Sequence, residues 1–315
     1  MPRAAVIFNP ISGGSRGEAV SLRARERLEV AGYEVERRPT LDRAGATPIA
    51  REVAPHLDRL VVVGGEGTVR EAVEGLGDAR ARVPIGIVPM GNANVVAREL
   101  GIPRDTEGAI DTAVGGTPVA MDVGVVRTDA FEELFLAVVG VGWDAHTVRL
   151  LDRFRHTPLG RASYRVWADG LYAVAGLCAA LRPAQERFRI RVDGEEMPAS
   201  YVAAYLCNLR TYGKKMAMTP NARRDSGTVH VHGRKRALLP FVLWHLGSAV
   251  RGHRAPAFVS DYSEGRTVRL EGSKRLAVQV DGDDRGWSSW VEASILPGAV
   301  RIMAPRDQPP SPSLS

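Results

Sequence analysis

Between Leu60 and Leu76 the chain reads LVVVGGEGTVREAVEGL. Three valines run into Gly64 and Gly65, then a single acid, Glu66, then Gly67 and Thr68, and then a helical pattern. Glycines at the end of a buried strand let the backbone turn without a Cβ clash. The helix that follows offers unpaired N–H groups at its N-terminus, and these attract phosphate. A carboxylate in such a loop repels phosphate unless a cation lies between them, and Mg²⁺ bridges carboxylate and phosphate oxygens. The stretch therefore reads as a nucleotide-phosphate loop with a metal-linked acid. On spacing alone, a glycine-rich strand-to-helix turn with an exposed acid fits equally well.

The elements that would hold this loop alternate. AAVIF (4–8), YEVERRPT, RLVVV (59–63) and VPIGIVP (83–89) read as strands. GEAVSLRARERLEVAG (17–32), ATPIAREVAP, VREAVEGLG and ANVVARELG read as helices between or after them. Strands separated by helices imply a parallel, doubly wound α/β sheet. From about Asp122 the texture changes to short β-like runs closed by turn residues, among them MDVGVV, RFRIRVDG, SYVAAYLCNL, GTVHVHG and RLAVQVDG. That is the pattern of a sandwich or barrel. Helical insertions are expected near 158–182 and 237–251. The fold class is thus an N-terminal doubly wound nucleotide-binding domain, residues 1–122, plus a C-terminal β-sandwich domain, residues 123–296. The Pro/Ser-rich end, 305–315, reads as disordered.

With 44% hydrophobic and 25% charged residues, the 315-residue chain has the composition of a soluble globular protein of two domains. Cys178 and Cys207 are too few for a disulfide framework, which points to a reducing, cytoplasmic setting. The N-terminus lacks a signal-peptide pattern. The longest apolar run, Gly170 to Leu181, is shorter than the roughly 20 residues of a spanning helix. Net charge is +6, divided as −2 over residues 1–125 and +8 over the rest. A basic second half suits an anionic partner such as a membrane surface, although 38 arginines against four lysines also fit a composition-biased genome. No aromatic-rich strand motif or helix-turn-helix supports nucleic-acid binding.

Six segments, in order, carry a family resemblance. GGEGT (64–68) is similar to the GGDGT motif of the diacylglycerol kinase catalytic-domain family, which includes sphingosine and ceramide kinases. The same motif occurs in NAD kinases. FNPISGG (8–14) resembles the family's NPxSG loop, and PMGNANVVARELGIP (89–103) its PxGTxNxxAR(x)LGIP segment. VVGVGWDAHTV (138–148) resembles GxGxDA, which opens the second domain. YGKKMAMTPNARRDSGTVHV (212–231) resembles PxAxxxDGxLxV, and LAVQVDGDD (276–284) resembles the terminal DGE. The chain is identified as a member on this ordered set. ARELGIP, with no evident NAD-kinase signature, favours the lipid-kinase side.

The resemblance implies an ATP- and Mg²⁺-dependent lipid kinase acting on a hydroxyl of a diacylglycerol-like or sphingoid lipid, with its active site in the cleft between the domains. It implies nucleotide contacts from Asn9, Ser12 and Gly13, from Gly64, Gly65, Gly67 and Thr68, and from Gly91, Asn92 and Asn94. The base of the DGE motif falls on Asp283, and Glu66 acts through Mg²⁺. Asp225 matches an acid in a region that carries a structural metal in the family. The final strand, near 297–304, is expected to return to the first domain. The expected partner is a lipid at a membrane surface, with peripheral association, no nucleic acid, and a homodimer left open.

The departures are as informative. Glu66 stands for Asp, Asp283 for Glu, Arg70 for Asn, Asn92 for Thr, and Val95 where Asp is common. A misplacement of about 1 Å can lower a rate roughly 100-fold. One expectation is that the longer Glu66 and shorter Asp283 compensate each other. The alternatives are an NAD kinase-like enzyme, or a non-catalytic nucleotide- or lipid-binding member of the family. Asp144 matches the GxDA acid, and a plain turn acid fits as well; His146 reads as structural. Lys214 and Lys215 would contact a headgroup or form an exposed basic turn. RKRALLPFVLWHLGSAVRGHRAP (234–256) suits an amphipathic helix on an anionic bilayer, or a core-packed helix with polar ends. Trp287 and Trp290 would border a lipid entrance or pack in a hairpin.

Overall fold

A computed structural model describes residues 1–41, 45–155, 157, 160, 171, 174–176, 178, 186–213, 216–236 and 239–306. The chain forms two units. Unit one is Met1–Val123, Arg223–Gly227 and the chain from Leu296; unit two is Gly124–Ala222 and Thr228–Ile295.

Unit one runs β1 (Arg3–Phe8), an irregular turn α1 (Ser12–Ser15), α2 (Gly17–Val30), β2 (Glu34–Pro39), α3 (Ala46–Val53), β3 (Arg59–Gly64), α4 (Glu66–Leu76), β4 (Ile85–Pro89), α5 (Val95–Glu99) and α6 (Thr106–Gly115). The strands pair in parallel in the order β2-β1-β3-β4. Leu60, Val61, Val62 and Val63 are all fully buried. A parallel strand covered on both faces reads as an uninterrupted apolar run, and this one does. The far end of the long strand β16 (Asp283–Ala304) belongs to unit one, where Ile302 pairs in parallel with Ile85.

Unit two is antiparallel. The chain enters it along β5 (Thr117–Thr128) and continues through β6 (Glu132–Phe135), β7 (Val138–Gly142), α7 (Trp143–Arg155), β8 (Phe188–Val192), β9 (Glu195–Glu196), β10 (Ala203–Cys207), β11 (Thr211–Tyr212), β12 (Met216–Ala217), β13 (Val229–Arg234), α8 (Leu239–Val250), β14 (Ser260–Gly265) and β15 (Thr267–Val280). The main strand order is β14-β13-β10-β7-β15, continuing into β16. Val139, Val141, Ala204, Leu206, Val231 and Val278 share one apolar core with Phe188, Ile190, Val268 and Leu270. This is the β-sandwich expected of the second half.

The opposite faces of β10, β13 and β15 are buried as well. They carry Tyr205, Cys207, His230, His232, Arg234 and Gln279. Alternating strands usually turn their polar residues to water. Here α7 and the segment around the β11–β12 hairpin meet that face: Tyr212 and Asp144 hydrogen-bond each other, Gln279 reaches Asp144, and the Met218 carbonyl meets His232.

Helix α7 begins inside the motif the sequence presented as a domain opening. The insertion expected at 158–182 lies largely outside the described residues, as do Lys214, Lys215 and the tail from 307. Among the described residues no helix is long and apolar enough to cross a membrane.

Candidate functional site

In unit one the candidate nucleotide residues sit on three loops that follow β1, β3 and β4. After β1, the Asn9 side chain accepts from the Ile11 N–H at 3.1 Å, and its carbonyl accepts from the Ser12 hydroxyl at 2.8 Å. Gly13 and Gly14 then take positive φ values of 58° and 73°. A Cβ on Gly13 would lie 2.3 Å from Met90 Cε, so the first loop packs against the third.

The β3 loop brings Gly65 and Gly91 together: a Cβ on Gly91 would stand 3.0 Å from Gly65 Cα. A Cβ on Gly64 would meet Thr68 at 2.8 Å. Gly67 is different. Nothing lies within 4 Å of where its Cβ would be, so the chain's own packing does not demand that glycine. Helix α4 starts from Gly65 in an extended conformation with no side-chain cap. The start of this helix is the positive end of its dipole, where anions are stabilised.

Glu66 has a use the sequence did not reveal. Its Oε1 accepts from the Val95 N–H at 2.6 Å, at the start of α5. Asn94, in the left-handed region at φ 48°, cannot cap that helix because its amide turns back to bond both Gly91 N and Gly91 O. Glu66 takes over the cap, and the chain has Val95 where an acid is common. The longer side chain therefore has a local reason within unit one. Glu71, in turn, accepts from Ala46 N–H at the start of α3. Arg70 is buried and Asn92 exposed.

In unit two, β15 and β16 meet in a two-residue turn, Asp281-Gly282, with φ of 48° and 86°. Positive φ at both positions is the signature of a type I′ hairpin, which Asp-Gly supplies. The two acids of the turn then divide. Asp281 accepts from the Leu136, Ala137 and Val138 N–H groups at 2.8–2.9 Å, so it is a structural anchor. Asp283 is half exposed, with Arg285 Nη2 at 3.5 Å from its carboxylate. Arg285 is itself held by Glu133 at 2.6 Å. The next residue, Asp284, takes both nitrogens of Arg149 at 2.9 Å. That pair and the Asp281 anchor hold Asp283 from both sides. Arg149 also lies over the Trp287 ring at 4.8 Å, and His146, buried and paired with Glu186 at 2.9 Å, meets the same ring edge-on.

Asp144 is not a turn acid. It is buried in the first turn of α7, with Tyr212 Oη donating to one oxygen and Gln279 Nε2 to the other, both at 2.9 Å. Burial pushes its carboxyl up to about 6, against the pull of those donors and of Arg234. Gly140 is a glycine because this bond lies across it: a Cβ there would stand 1.9 Å from the Asp144 oxygen. Asp225 pairs with Arg223 at 3.1 Å on an exposed segment of unit one. Among the described residues no three His, Cys, Asp or Glu side chains gather in a metal-binding group. Asp122 closes the same segment by accepting from Gly227 N and Gly298 N, each at 2.7 Å.

Residues 3–126 match the diacylglycerol kinase catalytic domain, and residues 137–304 match the YegS C-terminal NAD kinase beta sandwich-like domain. The chain belongs to the diacylglycerol kinase catalytic-domain family. Among its relatives is a diacylglycerol kinase of Bacillus subtilis (strain 168), 27% identical over 91% of each chain. Another is a diacylglycerol kinase of Mycobacterium tuberculosis (strain H37Rv), 29% identical over 95% of this chain and 94% of that one. A crystal structure of a diacylglycerol kinase from Bacillus anthracis shares the fold with a TM-score of 0.69 at 17% identity, covering 96% of both chains. As a member of this family the protein is an enzyme of the lipid-kinase type.

Within the diacylglycerol kinase family pattern, Gly64, Gly65, Gly91 and Asn94 have packing or bracing roles of their own here. Gly67 has no such packing role, and the start of α4 carries no side-chain cap. Sequence reasoning did not single out Met90, Asp122, Gln279 or Arg234. Only the glycine at 140 hinted at a side chain crossing a strand.

Proposed function

We propose that this protein is an ATP- and Mg²⁺-dependent lipid kinase that phosphorylates a hydroxyl of a diacylglycerol-like or sphingoid lipid at a membrane surface. The observation that carries the nucleotide reading is the β3–α4 junction. Gly65 and Gly91 approach closely, Gly67 has open space beside it, and the helix start lacks a side-chain cap. A triphosphate fits such a cradle, because backbone N–H groups and a helix dipole offset its charge.

The residues divide the work. The N–H groups at the start of α4 hold phosphate oxygens, with Thr68 and the Asn9–Gly13 loop beside them. Glu66 keeps α5 in register through Val95. Mg²⁺, when bound, would neutralise charge developing on the phosphate oxygens, and the carboxylate of Glu66 is the acid of unit one suited to hold it through water. Asp283 takes the proton of the acceptor hydroxyl, since a half-exposed carboxylate on a rigid hairpin suits a general base.

An aromatic surface of unit two supports membrane contact. Trp244 and Phe258 are each about half exposed, with ring centroids 5.4 Å apart, and Arg236 lies over Phe241. Trp rings and basic side chains suit the headgroup region of an anionic bilayer.

The deciding experiment is transfer of labelled γ-phosphate from ATP with Mg²⁺ into a panel of lipids in mixed micelles, with NAD as a separate acceptor, for wild type and Asp283→Ala. A labelled lipid that vanishes in the variant supports the reading and names the acceptor. Label on NAD alone, or on nothing while ATP still binds, overturns it.

A further inference from the structure

The covered second face of the unit-two sheet holds a charge without a hydrogen-bonding partner. Arg234, the last residue of β13, has no accessible surface. Its Nε, Nη1 and Nη2 atoms have no acceptor among the described residues. The guanidinium lies over the Trp143 ring at 4.1 Å, and the buried Trp143 Nε1 also lacks an acceptor. Asp144 attracts Arg234 electrostatically, but its oxygens receive Tyr212 and Gln279 instead. Around them the rings form a continuous wall: Tyr212 to Tyr205 at 5.7 Å, Tyr205 to His232 at 5.5 Å, and His232 stacked on Tyr262 at 4.3 Å.

These unpartnered groups are alike. Four nitrogens, three from Arg234 and one from Trp143, all donate and none accepts. An unpaired buried charge is strongly destabilising, and each unmatched buried donor adds to that cost. A hydrophobic residue would suit the spot better unless something acceptor-rich enters it. A guanidinium presents its donors as a planar fork that matches a carboxylate or phosphate with two parallel bonds.

We propose that Arg234 and Trp143 form an oxyanion-binding site on the covered face of the sandwich, taking one phosphate or carboxylate group, either free or as the head of an amphiphile. Arg234 grips two oxygens of the anion, Trp143 Nε1 donates to a third or shared oxygen, and the tyrosine and histidine rings flank the rest of the ligand. Asp144 shapes the site from the side. With both its oxygens engaged by neutral donors, it leaves the guanidinium fork to the ligand. This site is built from residues of unit two alone and does not depend on the kinase reading.

Binding is measured calorimetrically on the full chain with inorganic phosphate, dodecyl phosphate, dodecanoate and dodecanol, each also in the presence of saturating ATP. The expected result is saturable binding of the acids but not of dodecanol, unchanged by ATP. Arg234→Met should weaken it at least about tenfold, while Arg234→Lys, which keeps the charge and loses the fork, weakens it less. Inorganic phosphate binding as tightly as dodecyl phosphate would identify a free anion as the ligand; binding by the amphiphiles alone would identify a headgroup. Equal binding of dodecanol, displacement by ATP, unchanged affinity in Arg234→Met, or no saturable binding by any probe would overturn the proposal, the last meaning that water solvates the guanidinium. Should Arg234→Met fail to fold, the wild-type contrast between dodecyl phosphate and dodecanol still decides, because their chains are identical and only the head differs.

Discussion

The two units handle polar groups in opposite ways. Unit one keeps both faces of its inner parallel strands β1, β3 and β4 apolar and places glycine-framed loops at the strand ends. Unit two buries polar side chains on the face of its sheet, where Asp144, Gln279, Tyr212, His232 and Arg234 lie under a helix and a hairpin. A backbone cradle resists substitution because there is little side chain to change. A side-chain layer can alter charge and shape one residue at a time. If the proposed kinase reading holds, this contrast predicts that unit one serves the phosphate donor, the constant part of the reaction, and unit two the acceptor, the part that can vary.

The sharpest test of that division uses the two acids of the β15–β16 turn. Asp283→Ala should lower phosphoryl transfer by about 100-fold to 10,000-fold, the range for losing a general base. Its melting temperature should stay near that of wild type, because the side chain is half exposed. Asp281→Ala should do the reverse at first sight: it removes the acceptor of three backbone N–H groups. A loss of about 3 kcal/mol in chemical denaturation is expected, and activity should fall only with folded fraction. Equal effects of the two substitutions on stability would show that the turn acids are not divided as the geometry indicates.

Glu66 tests whether unit one works through backbone alone. Glu66→Gln keeps the reach to Val95 N–H and loses the charge, whereas Glu66→Asp keeps the charge and loses the reach. If the carboxylate acts through Mg²⁺, the glutamine variant should lose roughly tenfold to 100-fold in kcat with a raised Mg²⁺ requirement. If the cap on α5 is its main role, the aspartate variant should suffer more, and through stability. The idea that Glu66 and Asp283 compensate each other in length is tested in the same series. The double swap Glu66→Asp with Asp283→Glu should be no better than additive if the α5 cap explains the longer side chain.

How far the sequence carried differs between the units for the same reason. In unit one the apolar run of β3, the glycines after it and the helical pattern from Glu66 follow local rules, so the strand, turn and helix were legible. What was not legible was Glu66 capping a helix 29 residues away, because that contact depends on two loops meeting at Gly65 and Gly91. In unit two the strand GTVHVHG was recognised, but its alternation does not say where its histidines face. His230 and His232 are buried, since the fold brings a helix and a hairpin over that face. Periodicity reports two faces that differ in polarity and says nothing about whether the polar one is covered. Asp144 was matched as a motif acid without a role, and Arg234 was passed over among 38 arginines.

Asp144 gives the smallest expected effect and the one that bears most directly on the buried layer. Burial raises its carboxyl from 3.8 to about 6. A carboxyl raised on folding contributes stability that is present below about pH 4 and is lost as pH rises through about 6, because the folded state must then hold a buried negative charge. Asp144→Asn removes that ionisation. The variant should therefore gain on wild type between pH 4 and pH 7, with the difference between their melting temperatures changing in its favour across that window. The gain is held to about 1 kcal/mol, since an amide cannot accept from both Tyr212 and Gln279 as the carboxylate does. A difference that stays flat from pH 4 to pH 8 would mean that Asp144 is ionised throughout, with Arg234 close enough to neutralise it. In that case the guanidinium is already paired with Asp144, the polar layer of unit two is internally balanced like the apolar core on its other face, and the contrast between the units would lie only in composition.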